Sequence, residues 1–156
     1  MSNVPQPKSD DDIFVYDSMV ADKCGTNLLV VGPQAVMRNG LTTTFFPTLT
    51  LGWDIKEWKY IPALFVWWFY TPHANDFRDT RPSPFADKIR IPSAERALLD
   101  YMENAELYGT SYLVEGLQSY YAYNDVEKLY KLAFKYDTPK QLIDKWLQIA
   151  HEMDGM

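Results

Sequence analysis

The chain has 156 residues, 47% of them apolar, with a formal charge of −6 and a pI near 4.8. That length suits one sizeable core and leaves little room for two domains, and the acidic balance argues against a phosphate-binding surface, which needs clustered Lys and Arg to release counterions. A single cysteine, Cys24, excludes an internal disulfide and a cysteine-rich zinc site and fits a cytoplasmic setting, and the polar, acidic start MSNVPQPKSDDD lacks the basic region and apolar core of a signal peptide.

Residues 1–12 are expected to form a disordered tail and 13–156 a single domain. Asp12 to Ala21 fits a first strand or a short helix, and its pattern does not decide between them. Asn27 to Val31 is a leucine and β-branched run that stops at Gly32, as a strand would. Pro33 suits the first position of a helix and Gly40 its left-handed cap, so two helical turns are expected over Pro33–Asn39. Thr42 to Trp53 is rich in Thr, Phe and Leu, and Leu64 to Tyr70 is dense in Val, Trp and Phe; both favour strands. The apolar run Ile61 to Tyr70 is about half the ~20 residues a spanning helix requires and contains Pro62, so it reads as a buried strand and not a membrane segment. Thr71 to Asp87, TPHANDFRDTRPSPFAD, keeps no period and is expected to be a long loop.

Lys88 to Ile91 resumes as a short strand leading into IPSAERALLDY, residues 91–101. Here Ser93 is placed as N-cap and Glu95 puts negative charge in the first turn, where the helix dipole favours it. Ala94, Ala97, Leu98 and Tyr101 share one helical face, while Arg96 and Asp100, four apart, can pair on another. Three more helices follow. One runs from Gly109 to Tyr120 with Leu113, Leu117 and Tyr120 inward; the next carries Val126, Leu129, Tyr130 and Ala133; the last carries Leu142, Ile143, Trp146, Ile149 and Ala150. Asn124 with Glu127, and Thr138 with Pro139 and Gln141, read as capping boxes opening the last two. The fold class is therefore α+β: a small mixed N-terminal sheet with a short helix, then a C-terminal layer of about four helices.

No catalytic constellation emerges. His73 near Asp76 and Asp79 invites a metal, but His-x2-Asp-x2-Asp in a proline-rich loop has no ligand geometry to recommend it. His151 near the C-terminus is weaker still. Gly25 and Gly32 are too far apart for a dinucleotide fingerprint, and no Lys-Ser/Thr pair follows them. Ser93 sits between strand and helix but lacks the flanking glycines of a nucleophile elbow. Glu103 and Glu106 lie at helical spacing on what reads as a solvated face. Arg78, Arg81, Lys88 and Arg90 form the one local basic concentration, interspersed with Asp76, Asp79 and Asp87; a hydrated loop is the plain reading, and a loop folded onto the body could meet an acidic partner. Adjacent Trp67 and Trp68 point to opposite faces of a strand, so both faces of the sheet must be covered, within the monomer or by a partner.

Taken in order, GPQAVMRNGLTT at 32–43 and the Ser93 helix resemble two motifs of the AbiEi family of bacterial type IV antitoxins, over roughly residues 28–152. Ala94 stands where that family usually has Pro, and Arg38-Asn39 stands where a His-like residue often precedes the Gly. Family members typically begin with a winged helix-turn-helix, for which there is no room before residue 28, so direct DNA binding by this chain alone is not expected. The resemblance implies a non-enzymatic antitoxin-like protein, of the kind tied to phage defence, that counteracts a nucleotidyltransferase-type toxin. It implies no cofactor, no metal and no catalytic residue, and it marks Gly40, Leu41, Glu95, Arg96 and Asp100 as fold-defining first and interaction-related second. Readings from other classes are a small metal-dependent enzyme acting on nucleic acid or nucleotide through the Asp76 to Arg90 loop, and an orphan or phage-borne protein-interaction domain.

Overall fold

The computed structural model describes residues 10–62 and 66–154. In chain order they form helix α1 (Asp10–Cys24), strand β1 (Leu28–Val30), helix α2 (Gly32–Arg38), and strands β2 (Leu49–Trp53), β3 (Lys59–Ile61), β4 (Val66–Tyr70), β5 (Thr80–Ser83) and β6 (Ala86–Pro92). Helices α3 (Ala94–Glu103), α4 (Ala105–Tyr108), α5 (Thr110–Tyr123), α6 (Glu127–Lys135) and α7 (Lys140–Met153) complete them. The architecture is α+β, as expected, with a mixed six-stranded sheet in the order β3-β4-β2-β1-β6-β5. β1 lies at its centre, antiparallel to β2 and parallel to β6, and the two margins of the sheet are the antiparallel pairs β3–β4 and β5–β6.

Strand alternation divides the core between the two sheet faces. Leu29, Val31 and Phe69 point into the helical layer, where Leu98, Tyr101, Leu113, Leu117, Leu129, Ile143 and Trp146 close on them. Leu28, Val30, Leu49, Leu51, Val66, Ile89 and Ile91 point the other way, against Val20 and Ala21 of α1. Asp17, Val20, Ala21 and Cys24 recur at helical spacing on the side of α1 that faces the sheet, which settles the ambiguity of Asp12–Ala21 in favour of a helix. Residues 10–12, expected in a tail, belong to α1, and residues 1–9 lie outside the described residues. Trp67 and Trp68 do point to opposite faces. Trp67 meets Tyr60, Trp58 and Phe69, Trp68 stacks on Trp53 at 5.3 Å, and each tryptophan is half-buried.

Other expectations give way to tertiary context. Only Leu49–Trp53 of the Thr42–Trp53 stretch is strand. Before it the backbone finds partners off the sheet: Thr44 N–H donates to Thr42 Oγ1, Phe46 N–H lies 3.2 Å from Met37 Sδ, and Pro47 has no donor to offer. Ile61–Tyr70 is not one strand, because Ile61 ends β3, β4 begins at Val66, and residues 63–65 lie outside the described residues. Nor is Thr71–Asp87 one long loop. β5 lies inside it as an edge strand, where Pro82 costs no ladder bond that a neighbour needs, and the pairing with β6 is irregular between Pro82 and Ser83. Neither capping box forms: Asn124 Nδ2 turns back to Tyr120 O, Asp125 takes the Glu127 N–H at 3.0 Å, and α7 opens at Pro139 without a side-chain cap.

Candidate functional site around Arg96

Ser93 accepts the Arg96 N–H at 3.2 Å, as its position before the helix predicts, and this cap fixes the rotation of α3. Ala97, Leu98 and Tyr101 enter the core, whereas Ala94 is only half-buried. Arg96 and Asp100 pair four residues apart, with Nε 3.4 Å from Oδ2, but the expected separate face is not a solvated one: their side chains are 0% and 8% exposed.

Two segments close over the pair. The loop from Thr71 to Asp79 crosses above it, and Arg96 holds that loop by donating from Nη1 to Arg78 O at 2.6 Å and from Nη2 to His73 O at 3.0 Å. Tyr136, just past α6, lays its ring 5.0 Å from the guanidinium carbon. A buried cation shared between two carbonyls, a carboxylate and an aromatic face is a strut, since charge-assisted bonds to backbone fix a segment that has no ladder of its own. Burial pushes the Asp100 carboxyl up to about 6, against the opposing pull of Arg96 and then His73.

The outer side of this cluster is polar and ordered. Asp79, with φ of 55°, accepts from Lys135 Nζ and from the Tyr136 hydroxyl, each at 2.7 Å, while Arg78 pairs with Asp76 at 2.5 Å and its guanidinium lies 5.4 Å from the Tyr136 ring. The Arg78 bond holds the Asp76 carboxyl well below the usual carboxylate range, and the Lys135 bond lowers that of Asp79. His73 Nε2 lies 2.8 Å from Tyr136 O. His73, Asp76 and Asp79 are thus each engaged, His73 with Tyr136 O, Asp76 with Arg78, and Asp79 with Lys135 and the Tyr136 hydroxyl. Among the described residues no group of three or more His, Cys, Asp or Glu is placed to hold a metal ion.

The other residues marked by the resemblance are Gly40, Leu41 and Glu95. Gly40, at φ +69°, closes α2 with Gly40 N–H to Met37 O at 3.0 Å and Leu41 N–H to Val36 O at 3.1 Å, and so turns Leu41 into the core at 6% exposure. Glu95 is half-buried beside Tyr120, where burial first and the carboxylate second push the hydroxyl's pKa up. Gly116 of α5 receives both motif segments, since a Cβ there would lie 3.2 Å from Val36 and 3.3 Å from Leu98.

A second buried network went unread in the sequence. Arg38 grips the Asp17 carboxylate with both Nη atoms at 2.5 and 2.7 Å and gives Nε to Gln34 at 2.8 Å, and Ser83 Oγ adds a bond to Asp17 at 2.7 Å. Asn39 reaches Ala35 O and Pro92 O, and Arg81 donates to Asn39 Oδ1 at 3.1 Å. The Arg38-Asn39 pair therefore ties α2 to α1 and to the end of β6. The four-residue spacing of Gln34 and Arg38 was the available sequence signal. The expected basic concentration disperses: Arg81 joins this network, Lys88 reaches Gly25 O, Arg90 turns to Thr80, and Arg78 stays with the Arg96 cluster.

The remaining candidates are modest. His151 stacks on Tyr121 at 4.3 Å, and Glu103 and Glu106 are exposed. Cys24 is half-buried, with its thiol pushed up by desolvation. An apolar cleft of about 240 Å³ opens on the helical face of the sheet, with Trp58, Trp67, Phe69 and Tyr108 among its walls. No helix among the described residues is long and apolar enough to cross a membrane. Compared with known proteins, the chain matches no family model and no curated protein.

Proposed function

We propose that this chain is an antitoxin-like, non-enzymatic protein of a bacterial type IV toxin–antitoxin system, acting in the cytoplasm against a nucleotidyltransferase-type toxin encoded beside it. The observation that carries the reading is the mutual packing of the two segments that resemble AbiEi motifs. Asn39 of the first bonds Pro92 O at the threshold of the second at 3.0 Å, and Val36, Leu41 and Leu98 converge at Gly116. Segments so distant in sequence, serving one joint, are what a family scaffold would preserve. Arg96 and Asp100 then act from inside, holding the Thr71 to Asp79 loop against α6, and the surface open to a partner is the one they support. The small-enzyme reading draws no support from the Asp76 and Asp79 carboxylates, each of which is bound to its own cation.

Co-expression with the neighbouring gene, read as growth, tests the proposal. An Arg96→Lys variant that stays folded but frees the loop is expected to rescue growth less well than the unaltered chain. Full rescue by that variant would remove the loop from the mechanism, and failure of the unaltered chain to rescue would remove the antitoxin reading.

A further inference from the structure

The helical face of the sheet is not filled to its margin. Leu49 and Leu51 of β2 point towards α1, so Thr50 and Gly52 face the helices, and in register beside them on β4 stand Trp67 and Phe69. Two large rings next to a threonine and a glycine leave a step in the surface. Pro33 of α2, Phe46, and Leu107 and Tyr108 of α4 wall the space above that step, which is the apolar cleft of about 240 Å³. Hydrogen bonds outside the cleft set its width. Asn104 Nδ2, just before α4, donates to Tyr70 O at the end of β4 at 2.5 Å, and so places Leu107 and Tyr108 relative to the two β4 rings. Phe46 is held to α2 at both backbone atoms, by Gln34 Nε2 at its carbonyl and by its own N–H, 3.2 Å from Met37 Sδ. A cleft braced in this way is formed before any occupant arrives, as small-molecule sites usually are.

The walls decide what fits. None of the eight lining residues is charged, so an ion would leave water with no opposite charge to receive it. The Thr50 hydroxyl already donates to Val31 O and accepts the Gln34 N–H at 3.4 Å, and the Tyr108 hydroxyl is buried out of reach of solvent. The polar side-chain atoms that remain are the indole N–H groups of Trp58 and Trp67, too few for the alternating N–H and C=O groups of an extended chain. Rings are what the walls do offer. Trp58 lies 5.3 Å from Trp67 at 42°, Trp67 stacks on Phe69 at 5.8 Å, and Tyr108 meets Phe69 edge-on at 4.8 Å. Ring faces and ring edges in one cleft serve the two geometries in which a further ring gains beyond its buried area. Trp58 and Leu107, 56% and 48% exposed, are the walls most open to solvent. The volume falls below the ~300–1,000 Å³ of sites for drug-sized ligands, which limits the occupant to one or two rings.

We propose that this cleft binds a small uncharged aromatic molecule of one or two rings, stacked against Trp58 and Trp67 between β4 and α4. No lining residue belongs to the Arg96 cluster, and the proposal stands apart from the antitoxin reading.

The test is an NMR titration of the full chain, read at backbone amides and indole N–H groups, with toluene as the probe and methylcyclohexane, benzoate and a hexaproline peptide as comparisons. Toluene is expected to shift the indole signals of Trp58 and Trp67 and the amides of Phe46, Leu107 and Tyr108, and to bind more tightly than each comparison. Trp58→Ala, with an unchanged circular-dichroism spectrum, should lower toluene affinity roughly threefold to tenfold. Leu107→Asp, which puts a carboxylate on the α4 side, should weaken it as well, and serves alone where Trp58→Ala disturbs β3. Absence of shifts at these residues, equal binding of methylcyclohexane or benzoate, or insensitivity to the folded variants would each overturn the proposal. Tighter binding of hexaproline would overturn it in favour of a protein partner. Growth rescue plays no part in this titration, so its failure removes the aromatic site and leaves the antitoxin reading to its own test.

Discussion

Replacing Arg96 by methionine tests how the fold uses its buried cation. The substitution keeps most of the aliphatic volume and removes two bonds to loop carbonyls at 2.6 and 3.0 Å, the pair with Asp100 at 3.4 Å, and the contact with the Tyr136 ring. Breaking one side of a buried pair costs about 3–5 kcal/mol, and each charge-assisted bond lost contributes about 1.5–3 within that figure. Asp100 limits the damage. Its carboxyl already titrates near 6 with Arg96 beside it, so without the cation it stays protonated at neutral pH and avoids an unpaired buried charge. The expected loss at pH 7 is therefore about 3 kcal/mol, a large share of the ~5–15 kcal/mol typical of a domain. Urea unfolding followed by circular dichroism measures it. Adding Asp100→Val should recover more than ~1 kcal/mol, because replacing both members of a buried pair is far cheaper than removing one. A loss below about 1 kcal/mol for Arg96→Met would refute the description of Arg96 as a strut.

Asp100 also predicts an inverted pH dependence. Its folded-state pKa near 6 lies above the ~3.9 of an unfolded aspartate, so the folded state holds the proton more tightly and this group's stabilisation fades as pH rises from about 4 to 6. Asp76 and Asp79, held low by Arg78 and Lys135, act in the opposite sense and at lower pH. A carbon-13 carboxyl titration should place the Asp100 midpoint near 6, and a midpoint near 4 contradicts its burial. Asp17→Ala removes two bonds from Arg38 and one from Ser83, and should lower stability while speeding hydrogen exchange in α1 before the rest of the sheet; unchanged exchange there would contradict the tie. Gly40→Ala meets no atom within 4 Å and should cost only the left-handed backbone penalty of about 1–2 kcal/mol. Gly32→Ala shares that penalty and also drives a Cβ to 2.9 Å from the Tyr108 ring, so denaturant midpoints should rank it clearly below Gly40→Ala.

Local signals were read well where the backbone answered to its neighbours alone. Ser93, Gly40 and the apolar stripes of α5 and α7 are of this kind, because a cap or a helical face is decided within one or two turns. Pairing across the sheet was not legible. β3 and β5 are short edge strands whose residues, Lys59–Ile61 and Thr80–Ser83, gain their conformation from β4 and β6. α1 shows the same dependence, since its face becomes readable only once Arg38 is seen to hold Asp17. At the candidate site the pairing of Arg96 with Asp100 was legible and its burial was not. Nothing in an i, i+4 spacing reveals that a loop from Thr71 to Asp79 will fold over it. The proline-rich composition that marked that stretch as solvated concealed two backbone carbonyls, His73 and Arg78, positioned for a guanidinium.

Growth of cells carrying the neighbouring gene under stepwise induction, with and without this chain, tests the antitoxin reading most directly. The account predicts that the neighbour alone arrests growth and that this chain restores it, with rescue weakening as loop support is removed at Arg96. A neighbour that is harmless, or toxicity that this chain leaves unchanged at every level of induction, would contradict it.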